Sequence, residues 1–477
     1  MADVPARDLN PPMMAIGDSL YQGVRSLTIR ADMMRLAAPL QVAEALGIGA
    51  AFSVPQPKRP VVIDMERWIR DFPDLGAITK TLSANIAYWR GMPKSPDGRA
   101  FFENISIASA EFVGLYGGNA RLGLTWQQAH DWLEAKVSDD LWKQLADLDG
   151  LFEAVRDGFD IATFMMALNT RFVLNPLGND GPDAAKSATP VDQAALRKPS
   201  RLLVNIGSNS GLWEMGFEVD LVEFDWTGFD TLLERLDALP SEVKHIYWNG
   251  LGKPSAVANL MPVEYLAFFD TPRPGHYFDS YENRFGFGYK AAKGDIVKEM
   301  DQRVAKVNAE MQARIRSRTK TPDRFHVVDL YALLERYDAK HDFKNRHRKV
   351  VLPNHKRLSN VFLETSPWPL PAFQRGGLFG LDGMHLSGVG YGLMAQMVLD
   401  AIGAAEGGSV PRIDLGQLFE DDSLLDRPPR DWSYLVWLWR AVRMAQARGG
   451  EPDESEEDVK AGKLMMTPIA AAARRVR

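Results

Sequence analysis

Three side chains in this chain are of the types needed for nucleophilic catalysis. Ser19 stands in Met13-Met14-Ala15-Ile16-Gly17-Asp18-Ser19-Leu20, where an apolar run gives way to an amphipathic stretch. A serine hydroxyl is a poor nucleophile and needs a base to take its proton. Asp382-Gly383-Met384-His385 contains an imidazole, and the three-residue spacing lets one turn present it together with a carboxylate that holds its tautomer. Between them, Gly207-Ser208-Asn209 follows the apolar run Leu202–Ile206, and an asparagine amide there can donate to a developing oxyanion. Each residue also has a plainer reading: Ser19 as a helix N-cap, His385 as a loop residue, Asn209 as turn chemistry. Their common placement, in loops at one edge of the expected sheet, favours the chemical one.

The elements that must position them are read from hydrophobic patterning. Continuous apolar runs at Pro12–Gly17, Phe102–Ala108, Arg201–Gly207, Val243–Gly250 and Arg324–Leu330 fit strands buried on both faces. Amphipathic stretches between them, such as Asp230–Pro240 and Asp295–Arg318, and the apolar stretch Leu386–Ala405, fit helices covering a parallel sheet. Residues 125–175 read as helical and 176–200 as a polar Gly/Pro/Ser linker. The organisation expected is one α/β domain over 12–404, with insertions at about 125–200, 268–290 and 340–378. A C-terminal appendage over 405–477 would carry a helix at about 431–448 and a charged tail.

Composition narrows the function classes. A formal net charge of −6 over 477 residues gives no basic face of the kind nucleic acid requires. The absence of cysteine removes disulfides, thiolate nucleophiles and Cys-based zinc sites. The N-terminus has no apolar signal core and no run is long enough to span a bilayer, so a cytoplasmic location is expected. No cofactor or metal motif is readable: Gly286–Ala291 is glycine-rich but follows no clear strand.

With these residues in place, the chain resembles the GDSL family of lipases and esterases, also called SGNH hydrolases. Gly17-Asp18-Ser19-Leu20 matches the family's first block literally, Gly207-Ser208-Asn209 its third, with Ser210 in place of Asp, and Asp382 with His385 its fifth. In the second block Asn104 is present, and Ser109 stands where the family has a glycine. The resemblance implies a flavodoxin-like three-layer α/β/α sandwich with a five-stranded parallel sheet. It also implies a carboxylic ester hydrolase with Ser19 as nucleophile, His385 as base and Asp382 as orienting acid. The oxyanion would be held by the Ser19 N–H, the N–H at Ser109 and the Asn209 amide, while Asp18 would fix the turn around Ser19. Acyl transfer to an alcohol, carbohydrate deacetylation, or a non-catalytic binding role on the same fold are the alternatives.

Substrate and partners are less determined. A small-molecule or lipid ester is the implied substrate. Phe268, Phe269, Tyr277, Phe278, Phe285 and Phe287 either line an acyl pocket or pack the insertion that carries them. Residues 431–448 place Trp432, Leu435, Val436, Trp439 and Val442 on one helical face, suited to a peripheral membrane contact or to docking on protein. The basic run with Lys340, His341, Arg346, His347, Arg348 and His355 reads as a solvated loop.

Overall fold

A computed structural model describes residues 5–71, 74–117, 125–212, 221, 223–262, 277–283, 291–342, 345–365 and 374–429. Its centre is a parallel sheet of four strands: β1 (Met13–Gly17), β2 (Arg201–Asn205), β3 (His245–Asn249) and β4 (Phe325–Val328), in that spatial order. Every residue of β1 is buried, which is why the strand reads as an unbroken apolar run. The register aligns Gly17, Asn205 and Asn249 across three strands, so their loops emerge side by side.

Side-chain alternation divides the core in two. Met14, Ile16, Leu202, Val204, Ile246 and Trp248 point to one face, and Met13, Ala15, Leu203 and Tyr247 to the other. The helices that matter are α1 (Ser19–Gln22), α2 (Leu75–Arg90), α3 (Ile161–Leu174), α4 (Trp226–Asp237), α5 (Gly294–Arg318) and α6 (Gly388–Glu406). Apolar residues of α2, α3, α4 and α5 cover the first face, and α6 covers the second with Val389, Met394, Val398 and Ile402. Several starts are capped as the sequence would require: Asp160, Asp225 and Ser387 accept N–H bonds from Thr163, Gly228 and Gly390. Among the described residues α6 alone is long and apolar enough to cross a bilayer, and it is packed on the sheet.

The structure differs from the sequence reading in four places. Phe102–Ala108 does run beside β1, with Ala15 N–H donating to the Glu103 carbonyl and Ile105 N–H to the Ala15 carbonyl, both at 2.9 Å. It forms only an isolated bridge at Asn104, so the regular sheet has four strands, not five. The contact is short because the chain turns at Ile107–Ala110, directly after the Ile107 N–H donates to the Gly17 carbonyl at 2.9 Å. Within it the Asn104 Oδ1 takes the Ser106 N–H at 3.2 Å and its Nδ2 donates to the Tyr21 carbonyl at 2.8 Å.

The stretch 176–200 is not a linker. Thr189 and Asp192 form a capping box that starts a helix at Pro190–Arg197. Arg197 is buried, pairing with Glu103 and donating to the Asp8 carbonyl at 2.8 Å.

The basic run is only partly solvated, since Lys340 is fully buried and donates to the carbonyls of Val257 and Leu260. His341 is buried too, with Nδ1 2.7 Å from Asp338 Oδ2. Burial pushes the Lys340 ammonium down to about 7, against the opposing pull of Asp338 and Asp301.

Residues after 404 also join the core. Leu418 and Phe419 pack with α6, while Leu424 sits with Val361 and Leu381. The candidate helix at 431–448 lies outside the described residues.

Candidate active site

The site forms at the carboxyl ends of β1 and β2 and in the turn before α6. Gly17 is required at the end of β1, since a Cβ there would come within 2.2 Å of the Asn205 carbonyl oxygen. The next residue, Asp18, is the N-cap of α1, its Oδ1 accepting the Leu20 N–H at 3.0 Å. Because Asp18 takes the capping role, the Ser19 hydroxyl is free to face the imidazole.

Ser19 Oγ lies 3.0 Å from His385 Nε2, and His385 Nδ1 lies 2.8 Å from Asp382 Oδ2. The three side chains join segments 366 residues apart in sequence, and Ser19 is 8% and His385 6% exposed. Asp382 is fixed by backbone donors: Leu27 N–H at 2.8 Å on Oδ2, and the N–H groups of Met384 and His385 at 3.0 Å on Oδ1. Burial pushes the Asp382 carboxyl up, but the His385 imidazole and those backbone N–H groups hold it below the usual carboxylate range. It therefore stays a carboxylate, the form that orients an imidazole and stabilises its cation.

The oxyanion candidates fall in one hydrogen-bonded neighbourhood. Asn209 Nδ2 donates to the Ala110 carbonyl at 2.8 Å, which ties Asn209 to the turn containing Ser109. The Ala108 N–H, on the other side of Ser109, donates at 2.7 Å to Gln22 Oε1 on α1. Ser109 is exposed and has φ +60°, the left-handed backbone that glycine adopts freely, so the serine holds a glycine-like conformation. Among the described residues neither the Ser19 N–H nor the Ser109 N–H meets a protein acceptor.

Asp18 heads a chain of amides that sequence reasoning missed. Asn205 Nδ2 donates to Asp18 Oδ1 at 2.7 Å, and Asn249 Nδ2 donates to Asn205 Oδ1 at 3.0 Å. Burial pushes the Asp18 carboxyl up to about 6, although the Leu20 N–H and Asn205 oppose the rise. The available signal was positional: Asn205 and Asn249 each end an apolar strand at the same edge as Ser19. Gln22 and Asn169, which bond each other, were also missed. Asn169 is an amide inside the apolar helix α3, and a polar group buried there needs a partner.

Phe278 packs with Tyr281, Ala292 and Val297 in a small cluster that contains none of the triad residues. Phe285 and Phe287 lie outside the described residues, as do Phe268 and Phe269. Two cavities of about 800 and 500 Å³ lie elsewhere, lined by Arg67, Arg70 and Arg427 and by Arg30, Arg35, Lys58 and Arg59. Among the described residues no three His, Asp or Glu side chains are grouped as metal ligands would be.

Comparison of the chain with protein-family models, with curated proteins and with solved structures gives no match.

Proposed function

We propose that this protein is a serine hydrolase acting on carboxylic esters. The observation that carries the reading is the Asp382–His385–Ser19 hydrogen-bond chain, at 2.8 and 3.0 Å. More narrowly, we place it with the GDSL, or SGNH, hydrolases. The motif matches support that assignment. So does the strand order, which becomes 2-1-3-4-5, as in flavodoxin-like sheets, once Phe102–Ala108 is counted beside β1.

In this mechanism Ser19 Oγ attacks the ester carbonyl as His385 Nε2 takes its proton, and Asp382 stabilises the resulting imidazolium. The tetrahedral oxyanion is held by the N–H groups of Ser19 and Ser109 and by the amide hydrogen of Asn209 that Ala110 does not use. His385 returns the proton to the leaving alcohol, the acyl-enzyme forms, and a water activated by the same imidazole releases the acid.

A fluorophosphonate probe and p-nitrophenyl esters of increasing chain length test the reading. Wild type should label and turn over; Ser19→Ala and His385→Ala should do neither. Equal labelling of Ser19→Ala would assign the nucleophile elsewhere. Product analysis with an added alcohol separates hydrolysis from acyl transfer.

A further inference from the structure

Residues Ile107–Ala110 form a tight turn in which the Ala110 N–H donates to the Ile107 carbonyl at 3.1 Å. Ser109 is its third residue, with φ +60°, a position that normally takes glycine or asparagine. A serine keeps that backbone only where the surroundings over-determine it. Two bonds do so here: Ala108 N–H to Gln22 Oε1 at 2.7 Å, and Asn209 Nδ2 to the Ala110 carbonyl at 2.8 Å.

Gln22 is itself locked. It is 1% exposed and forms a reciprocal amide pair with Asn169, which is also 1% exposed. Gln22 Nε2 donates to Asn169 Oδ1 at 2.7 Å, and Asn169 Nδ2 donates back to Gln22 Oε1 at 3.0 Å. Gln22 Oε1 thus accepts two bonds, its full capacity, and its direction is set by both. Asn169 belongs to α3, in a stretch where every residue from Thr163 to Leu174 is buried. That helix lies in the insertion between β1 and β2, so a segment outside the repeating strand–helix pattern reaches the loop beside the nucleophile.

We propose that the Gln22–Asn169 amide pair is a clamp that sets the Ser109 N–H for the oxyanion of the reaction. Both are positioning residues, acting on the reacting atoms only through the turn. The inference rests on the ester-hydrolase reading above and adds α3 to the apparatus that reading requires.

Gln22→Met and Asn169→Leu test it in the full-length protein, with thermal unfolding to confirm that each variant is folded. Each should lower kcat by about tenfold or more, a part of the ~10²–10³ that a lost oxyanion donor typically costs. KM should hold. The affinity for a trifluoromethyl ketone, whose adduct carries the oxyanion, should fall in parallel with kcat/KM. The pH profile should keep its shape, since the triad is untouched.

The distinguishing result is a rescue. Adding Ser109→Gly to Asn169→Leu should restore part of the lost kcat, because glycine holds the left-handed backbone without a clamp. Unchanged kcat in folded Gln22→Met and Asn169→Leu would overturn the clamp, and so would a loss that Ser109→Gly fails to relieve. Should Asn169→Leu not fold, the rescue is read on Gln22→Met, which removes the bond to Ala108 directly. A wild type that turns over no ester and labels no better than Ser19→Ala would instead remove the hydrolase reading, and the clamp with it.

Discussion

The backbone N–H of Leu27 donates to Asp382 Oδ2 at 2.8 Å, the same oxygen that lies 2.8 Å from His385 Nδ1. Leu27 reaches it from a two-residue turn in which both Ser26 and Leu27 have positive φ, 54° and 52°, although neither is glycine. A carboxylate here accepts every donor that surrounds it. In Asp382→Asn one terminal group becomes a donor and must face either Leu27 N–H and the imidazole together or the backbone N–H groups of Met384 and His385. Activity should fall by roughly 10³–10⁴-fold, the scale expected when the imidazole tautomer is lost. Stability should drop by about 1–3 kcal/mol for the buried unsatisfied donor. Ester turnover and a urea melt measure the two, and near-wild-type kcat would remove Asp382 from the triad.

Asp18 gives a pH dependence of opposite sign to the usual carboxylate. Its pKa is raised from the ordinary 3.8 to about 6, chiefly by burial. Between those values the native protein keeps a proton that the unfolded chain releases. The contribution to stability is complete below pH 4 and is lost as pH rises through about 6. At ~1.4 kcal/mol per unit, the loss is at most about 3 kcal/mol. Other carboxyls titrate in the same range, so the informative quantity is a difference. Asp18→Asn keeps an acceptor for the Leu20 N–H, and its stability should decline less than wild type between pH 4 and 6.5. Parallel curves would mean that Asp18 titrates as an ordinary carboxyl.

The parts of this fold that could be read from sequence are those set by local pattern. β1 to β4 each lie within an apolar run, because strands covered on both faces must be apolar throughout. Ser19, Asp382 and His385 stood out by type and spacing. Phe102–Ala108 carries Glu103, Asn104 and Ser106 among its apolar residues, and it stops at a bridge because the chain turns away from β1 at Ile107–Ala110. Lys340 lies in a run of basic residues, yet it is buried because carbonyls of Val257 and Leu260 receive it from a remote segment. Asn169 looks like an interruption in an apolar helix until Gln22 is placed opposite it. For Lys340 and Asn169 the deciding partner is distant in sequence, so only the assembled structure could supply it.

Gly383 separates Asp382 from the remainder of its turn with φ +69°. A Cβ there would meet the Asn259 backbone nitrogen at 2.7 Å, and the Asn259 N–H donates to the Gly383 carbonyl at 2.9 Å. Gly383→Ala therefore strains the backbone and pushes the turn away from the Asn259 backbone that supports it. A cost of about 1–3 kcal/mol is expected, with a loss of kcat out of proportion to the loss of stability, because Asp382 and His385 flank the shifted atoms. A thermal melt set beside ester turnover checks this. A variant that is destabilised yet fully active would show that the turn tolerates displacement.

Beneath the triad, Arg25 joins the nucleophile's side of the molecule to its C-terminal segment. Its Nε lies 2.7 Å from Glu66 and its Nη1 2.5 Å from Asp422, with all three side chains at most 2% exposed. Glu66 also accepts the Ser26 hydroxyl at 2.9 Å, and that hydroxyl accepts the Leu381 N–H at 3.0 Å, one residue before Asp382. Removing the cation alone leaves two carboxylates buried without their main partner, so Arg25→Met should cost about 3–5 kcal/mol. Removing all three charges is a different matter, because the desolvation they impose goes with them. The triple variant Arg25→Met, Glu66→Gln, Asp422→Asn should recover much of the loss in a denaturant titration. If it is no more stable than Arg25→Met, the cluster contributes through shape and hydrogen bonding around Ser26 and Leu381, and charge balance is not its role.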